Sequence, residues 1–188
     1  MKKIMFNDRY GLTQAVIEGR KTMTRRIVPT KTRLRRALAV IHDEPHGSEQ
    51  EEYLKSAYYK VGEIVAVAQN YSSFYNILDN TRPIPEGAGW DNKMFVRADL
   101  MPHQIRITGI KCERLQDISD KECLREGIRQ FTPNFPKNLP IHPTHFVVGD
   151  ILKDTPREAF AALIDKVSGR GTWASNPWVV AYEFELVK

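Results

Sequence analysis

The stretch Gly19-Arg20-Lys21-Thr22-Met23-Thr24-Arg25-Arg26 sets a lysine and two threonine hydroxyls among three arginines, directly behind what reads as a helix end. Between Gly19 and His42 there are eight Lys/Arg and no Asp or Glu, whereas the whole chain is only +5 (28 against 23), so the remainder nets −3 (20 against 23). The positive charge is therefore local. A focused positive field attracts phosphate or another anion, while evenly spread charge mainly serves solubility. Hydroxyls among cations suit anion binding or attack on a carbonyl. A solvated basic loop is the plainer reading of the same run, and composition alone does not separate the two.

Elements on either side must position these groups. Leu12, Ala15 and Val16 share a helical face and Gly19 stands at the cap position, which predicts a helix over 9–18. A β-branched, alternating stretch predicts a strand over 22–28, with Thr22, Thr24 and Arg26 on one face. In a strand that began at Lys21, Lys21 and Thr24 would face opposite ways; they converge only if Lys21 still belongs to the turn after Gly19. Further strands are expected at 64–68, at 105–115 with a phase change at Gly109, and at 178–186, where Trp178, Val180, Tyr182, Phe184 and Leu186 share a face. Ser119-Asp120-Lys121-Glu122 is a capping box and Gly127 closes the short helix behind it. Thr155-Pro156-Arg157-Glu158 opens a helix with the stripe Phe160, Leu163, Ile164 and Val167, stopped by Gly169.

Separated strands with interspersed helices argue for an α+β class in a single domain spanning 1–188. At 41% hydrophobic and 27% charged, the composition is neither disordered nor membrane-like. No apolar run reaches the roughly 18 residues that span a bilayer, and the start of the chain is too short in apolar residues for a signal-peptide core. A cytoplasmic protein is expected, with a monomer favoured. Cys112 and Cys123 form neither a disulfide framework nor a zinc pattern and read as buried small hydrophobes. His42/His46 and His142/His145 sit in proline-containing segments without a partner cluster, so neither a metal nor any other cofactor is expected. Segments 31–60, 71–100 and 129–150 read as long inserts.

The motif Gly19, Lys21 and Arg26 resembles the Gly-x-Lys-x-x-Glu-x-Arg pattern of ASCH-domain proteins, whose fold is a PUA-like mixed β-barrel with flanking helices. Thr24 stands where the general pattern has Glu. That departure is similar to a bacterial subset that removes the acetyl group from N-acetylated cytidine. Leu115-Gln116-Asp117-Ile118-Ser119, Glu126-Gly127-Ile128 and Trp173-Ala174-Ser175-Asn176-Pro177-Trp178 look like the longer members found in phages and prophages. The resemblance covers most of 4–30, 61–70, 101–128 and 156–187. It implies Thr24 as nucleophile, Lys21 as its proton acceptor and Glu126 as the acid, Glu122 being better explained by the capping box. A lysine among Arg20, Arg25 and Arg26 suffers like-charge repulsion, which lowers its pKa and favours the neutral base.

Two classes of function follow. One is an enzyme hydrolysing an acyl-amide, or a phosphodiester, on a modified nucleoside or RNA. The other is a non-catalytic PUA-like module holding RNA or a nucleotide through Arg20, Thr22, Arg25, Arg26, Arg33, Arg35 and Arg36, with Trp90 to stack a base. A phage accessory protein that binds another protein through its inserts is a third possibility.

Overall fold

The computed structural model describes residues 1–28, 54, 57–75, 87–132 and 144–187. Its strands are β1 (Lys2–Ile4), β2 (Met23–Ile27), β3 (Ile64–Val67), β4 (Gln104–Arg114), β5 (Arg129–Phe131), β6 (His145–Val148), β7 (Ile151–Lys153) and β8 (Trp178–Leu186). The helices are α1 (Leu12–Ile17), α2 (Asp120–Arg125), α3 (Pro156–Ser168) and α4 (Thr172–Ser175). One sheet runs β1-β3-β4-β8-β2, parallel only at β1–β3, and a second, antiparallel sheet runs β5-β6-β7. The class is α+β.

The larger sheet is open among the described residues, with β1 and β2 as its edges, so the closed barrel that the resemblance implies is not seen there. A side chain bridges toward the far edge instead: Arg26 Nη2 donates to the carbonyl of Met5, just past β1, at 2.6 Å.

β8 is the organising strand, paired with β4 on one side and β2 on the other. Val179 and Ala181 are as buried as Val180, Tyr182 and Phe184, so both of its faces are covered over this stretch rather than one. The phase change at Gly109 is a register shift between Ile107 and Gly109 against β8. A Cβ at Gly109 would come within 3.4 Å of the Glu183 side chain, so the smallest residue eases that crowded pairing.

The first predicted helix is shorter than expected. Asp8–Tyr10 forms a 3-10 turn and Gly11, at φ +67°, breaks the path before α1 begins. Asn7 Oδ1 accepts from the Arg9 amide at 3.0 Å and caps that turn. The third expected insert is not structureless, since it carries β5 and β6. The second contains 3-10 turns at Tyr71–Ser73, Lys93–Phe95 and Ala98–Leu100, with Tyr71 and Val96 joining Ala66, Ala68 and Met101 in a second small core.

α3 forms as its ends predict. Thr155 Oγ1 accepts from the Glu158 amide at 3.1 Å, Pro156 opens the first turn and Gly169 follows the last residue. Phe160, Leu163 and Ile164 enter the main core, but Val167 is 38% exposed, so the buried stripe stops one turn early. Leu163→Ala is expected to cost about 2–5 kcal/mol through the cavity it leaves, read as a lower urea midpoint with an unchanged slope. An unchanged midpoint would remove Leu163 from the core.

Candidate functional site

The site begins with a turn. Gly19 adopts φ +71°, a conformation that costs a side chain-bearing residue energy, and the Lys21 amide then donates back to Ala15 O at 2.8 Å. Lys21 therefore precedes β2, which starts at Met23. This is the condition under which Lys21 and Thr24 can converge, and both line one cavity of about 600 Å³ together with Glu126. Glu126 arrives from the other direction, as the C-cap of α2. The Ser119–Glu122 capping box starts that helix, Ser119 N donating to Glu122 Oε2 at 2.9 Å and Glu122 N donating to Ser119 Oγ at 3.3 Å. Gly127, at φ +104°, ends it; a Cβ there would lie 3.5 Å from Lys21 Cβ and 3.2 Å from Leu12 Cδ2, so glycine lets the end of α2 press onto the Lys21 turn.

Lys21, Glu126, Thr24 and Arg25 are 2%, 3%, 5% and 7% exposed, a density of buried polar groups found nowhere else among the described residues. Lys21 Nζ donates to Glu126 Oε2 at 2.6 Å, to Glu126 O at 2.7 Å and to Met23 O at 2.8 Å. Three acceptors satisfy an ammonium completely. Glu126 Oε1 accepts from Arg25 Nη1 at 3.2 Å. Among the described residues, no hydrogen bond engages the Thr24 hydroxyl. α3 closes the other side of the cavity with Phe160, Leu163 and Ile164, while Arg26, Asp8 and Lys93 stand at its more exposed end.

The Lys21 pKa is lowered. Burial is the main cause; the Glu126 carboxylate opposes it, and Arg26 and Arg25 push it further down. The direction matches the sequence expectation, but desolvation rather than like-charge repulsion is its main cause. A lysine–glutamate pair with little water can pass one proton across its hydrogen bond, giving a neutral amine and a carboxylic acid without changing net charge. Thr24 lines the same cavity as that pair.

Of the other described residues singled out in the sequence as site residues, Arg25 and Arg26 line the same cavity and the rest do not. Arg20 is exposed and pairs with Glu18 at 2.5 Å. Thr22 Oγ1 accepts from Arg125 Nε at 3.1 Å and does not line the cavity. Arg25, expected to face a ligand, is committed to carboxylates, whereas Arg26 is exposed at the cavity with its guanidinium 5.8 Å from the Phe6 ring centre. Trp90 is half-buried and packs on the second core cluster, away from the cavity. Arg33, Arg35, Arg36, His42, His46 and His142 lie outside the described residues. His145 Nδ1 sits 3.1 Å from Asp154 Oδ1.

Sequence reasoning missed the carboxylates around Arg25 and the Asp8–Lys93 ion pair, 2.8 Å apart at the cavity. No local pattern announces pairs so distant along the chain. Burial pushes the Cys112 thiol up to about 11 and the Cys123 thiol up to about 12, which keeps both protonated and makes them poor nucleophiles. None of the helices among the described residues is long and apolar enough to cross a membrane.

Glu122 carries a pH consequence. Burial raises its pKa, but the hydrogen bonds from Lys111 and Ser119 and the charge of Arg25 prevail and hold it at about 2 against an ordinary 4.5. A depressed carboxylate stabilises the fold above its unfolded pKa, and that contribution is lost as pH falls through the folded value. Wild type should therefore lose stability between about pH 4.5 and 2, and Glu122→Gln should flatten the decline in that window, as read by urea midpoints across pH. An unchanged slope in the variant would contradict this. No family model, no curated protein and no solved structure matches this chain.

Proposed function

We propose that the chain is an amidohydrolase of the PUA-like ASCH kind that removes the acyl group from an N-acylated cytidine. The observation that carries this reading is the meeting of Lys21, Thr24 and Glu126 in one cavity. Its volume, about 600 Å³, is within the range that encloses a small ligand.

In the proposed reaction the Lys21–Glu126 pair holds one mobile proton. With that proton on Glu126, neutral Lys21 accepts the Thr24 hydroxyl proton as Oγ1 bonds to the acyl carbon. The C–N bond then breaks as Glu126 protonates the leaving nitrogen, which releases cytidine and leaves an ester on Thr24. Water attacks that ester, giving up a proton to the now ionised Glu126. The acyl–oxygen bond breaks, Lys21 returns its proton to the Thr24 alkoxide, and a carboxylic acid departs.

The test is acetate release from N-acetylcytidine by purified protein across pH. A bell is expected, rising as the doubly protonated pair loses one proton and falling as it loses the second; the two apparent pKa values belong to the pair. The falling limb should lie below the ordinary lysine value of 10.5, because burial lowers Lys21. Lys21→Ala should be inactive at every pH. Absence of acetate release from any acylated nucleoside, together with RNA binding that weakens steeply with salt, would instead establish the binding-module reading.

A further inference from the structure

We propose that Arg25 is a positioning residue: held by Glu113 and Glu122, its guanidinium orients the Glu126 carboxylate on Lys21 and, through its charge, sets the pH window in which that pair works. This rests on the hydrolase reading above for its activity readout, but not for its titration readout.

Arg25 is in the middle of β2, yet its guanidinium is almost fully buried and meets three carboxylates from two other elements. Nε donates to Glu113 Oε1 of β4 at 2.8 Å, and Nη1 donates to Glu126 Oε1 at 3.2 Å and contacts Met23 Sδ at 3.5 Å. Nη2 lies 2.6 Å from Glu113 Oε1 and 3.2 Å from Glu122 Oε2, but neither oxygen lies along a hydrogen-bond direction. The contact there is one of charge rather than of aligned donor and acceptor. On the far side, Lys111 Nζ sits 2.8 Å from Glu113 and 2.5 Å from Glu122, so those two carboxylates are themselves shared and fixed.

The order of groups is therefore Lys111, then Glu113 and Glu122, then Arg25, then Glu126, then Lys21. Arg25 occupies one oxygen of Glu126 and Lys21 the other. A carboxylate gripped at both oxygens cannot rotate, which keeps Oε2 on the amine. The charged groups facing this array are Lys21, Arg25 and Arg26 from the Lys21 turn and β2, Lys111 and Glu113 from β4, and Glu122 and Glu126 from α2. A simple buried ion pair would need one partner; three with a shared backing lysine fix orientation as well as charge.

The signs separate positioning from mere support. Arg25→Gln removes a cation from the pair, so both limbs of the activity bell should move upward by about one pH unit. Glu113→Gln removes the counter-charge and leaves the field of Arg25 on Lys21 less compensated, so both limbs should move downward. Arg25→Lys keeps the charge and should return the limbs toward wild type, with a lower rate because the fork is lost. The same order should appear in the 15Nζ titration of Lys21 by NMR on the labelled protein, whether or not acetate is released. Opposite shifts in Arg25→Gln and Glu113→Gln support the proposal. Limbs and titration curves left in place, or displaced in the same direction by both variants, overturn it. Should Arg25→Gln not fold, the sign of the Glu113→Gln shift and the return in Arg25→Lys decide alone. If the Lys21 titration moves as described while no variant or wild type releases acetate, the hydrolase reading fails and the electrostatic role of Arg25 remains.

Discussion

Thr24→Ala is expected to lower acetate release by on the order of 10⁴-fold or more, with the fold intact. The loss should be in kcat, because the hydroxyl is the bond-forming group in the proposed reaction. The intact fold follows from the local structure: the Thr24 hydroxyl takes part in no hydrogen bond among the described residues, so its removal orphans no described partner. β2 keeps its pairing with β8 at Thr24↔Tyr182, which is made by the backbone. Thr24→Ser should retain part of the activity, and Lys21→Ala combined with Thr24→Ala should be no slower than either alone, since nucleophile and base act as a unit. Full activity in Thr24→Ala would refute the mechanism, whatever the other variants do.

Glu126→Leu should be the most destabilising single change at the site, by about 3–5 kcal/mol, because it leaves a buried ammonium without its counter-charge. Lys21 would still donate to Met23 O and to the backbone carbonyl of residue 126, but neither neutralises it. Part of the loss should return above the Lys21 pKa of the variant, where the amine is neutral in the fold. The double change Lys21→Met with Glu126→Leu should be closer to wild type than Glu126→Leu alone, since a hydrophobic pair of similar volume often replaces a buried ion pair with little loss. Two carbonyls, of Met23 and of residue 126, would lose their donor and keep the recovery incomplete. Urea midpoints for the four proteins form the cycle. Additive losses would mean that the two side chains do not act as a pair.

What could be read from the chain was mostly what is written locally. Thr155-Pro156 and Gly169 bound α3, Ser119 and Glu122 start α2, and Gly109 marks the shift between β4 and β8, each within a few residues of its own cause. The apolar stripe of the first helix does not show its break, which Gly11 supplies: its left-handed backbone separates Asp8–Tyr10 from α1. The candidate triad was legible in part: Gly19 permits the turn that frees Lys21 from the strand alternation, but its meeting with Glu126 spans 105 residues. Arg25 lines the cavity, but the carboxylates that hold its guanidinium leave no mark in its local sequence. Its burial depends on Glu113, Glu122 and Glu126, which reach it only once β4 and α2 are in place.

Among the described residues, β2 pairs with β8 and with no other strand. The strand bearing Thr24 and Arg25 is thus made well before its partner and receives it only when residues 178–186 emerge from the ribosome. A nascent chain halted before β8 carries every residue of the candidate triad and can pair β1, β3 and β4, but lacks the strand that joins β2 to them. Assembly of the site is therefore a late event in the life of the polypeptide, and a premature stop anywhere upstream of Trp178 should be as inactivating as the loss of Thr24 itself.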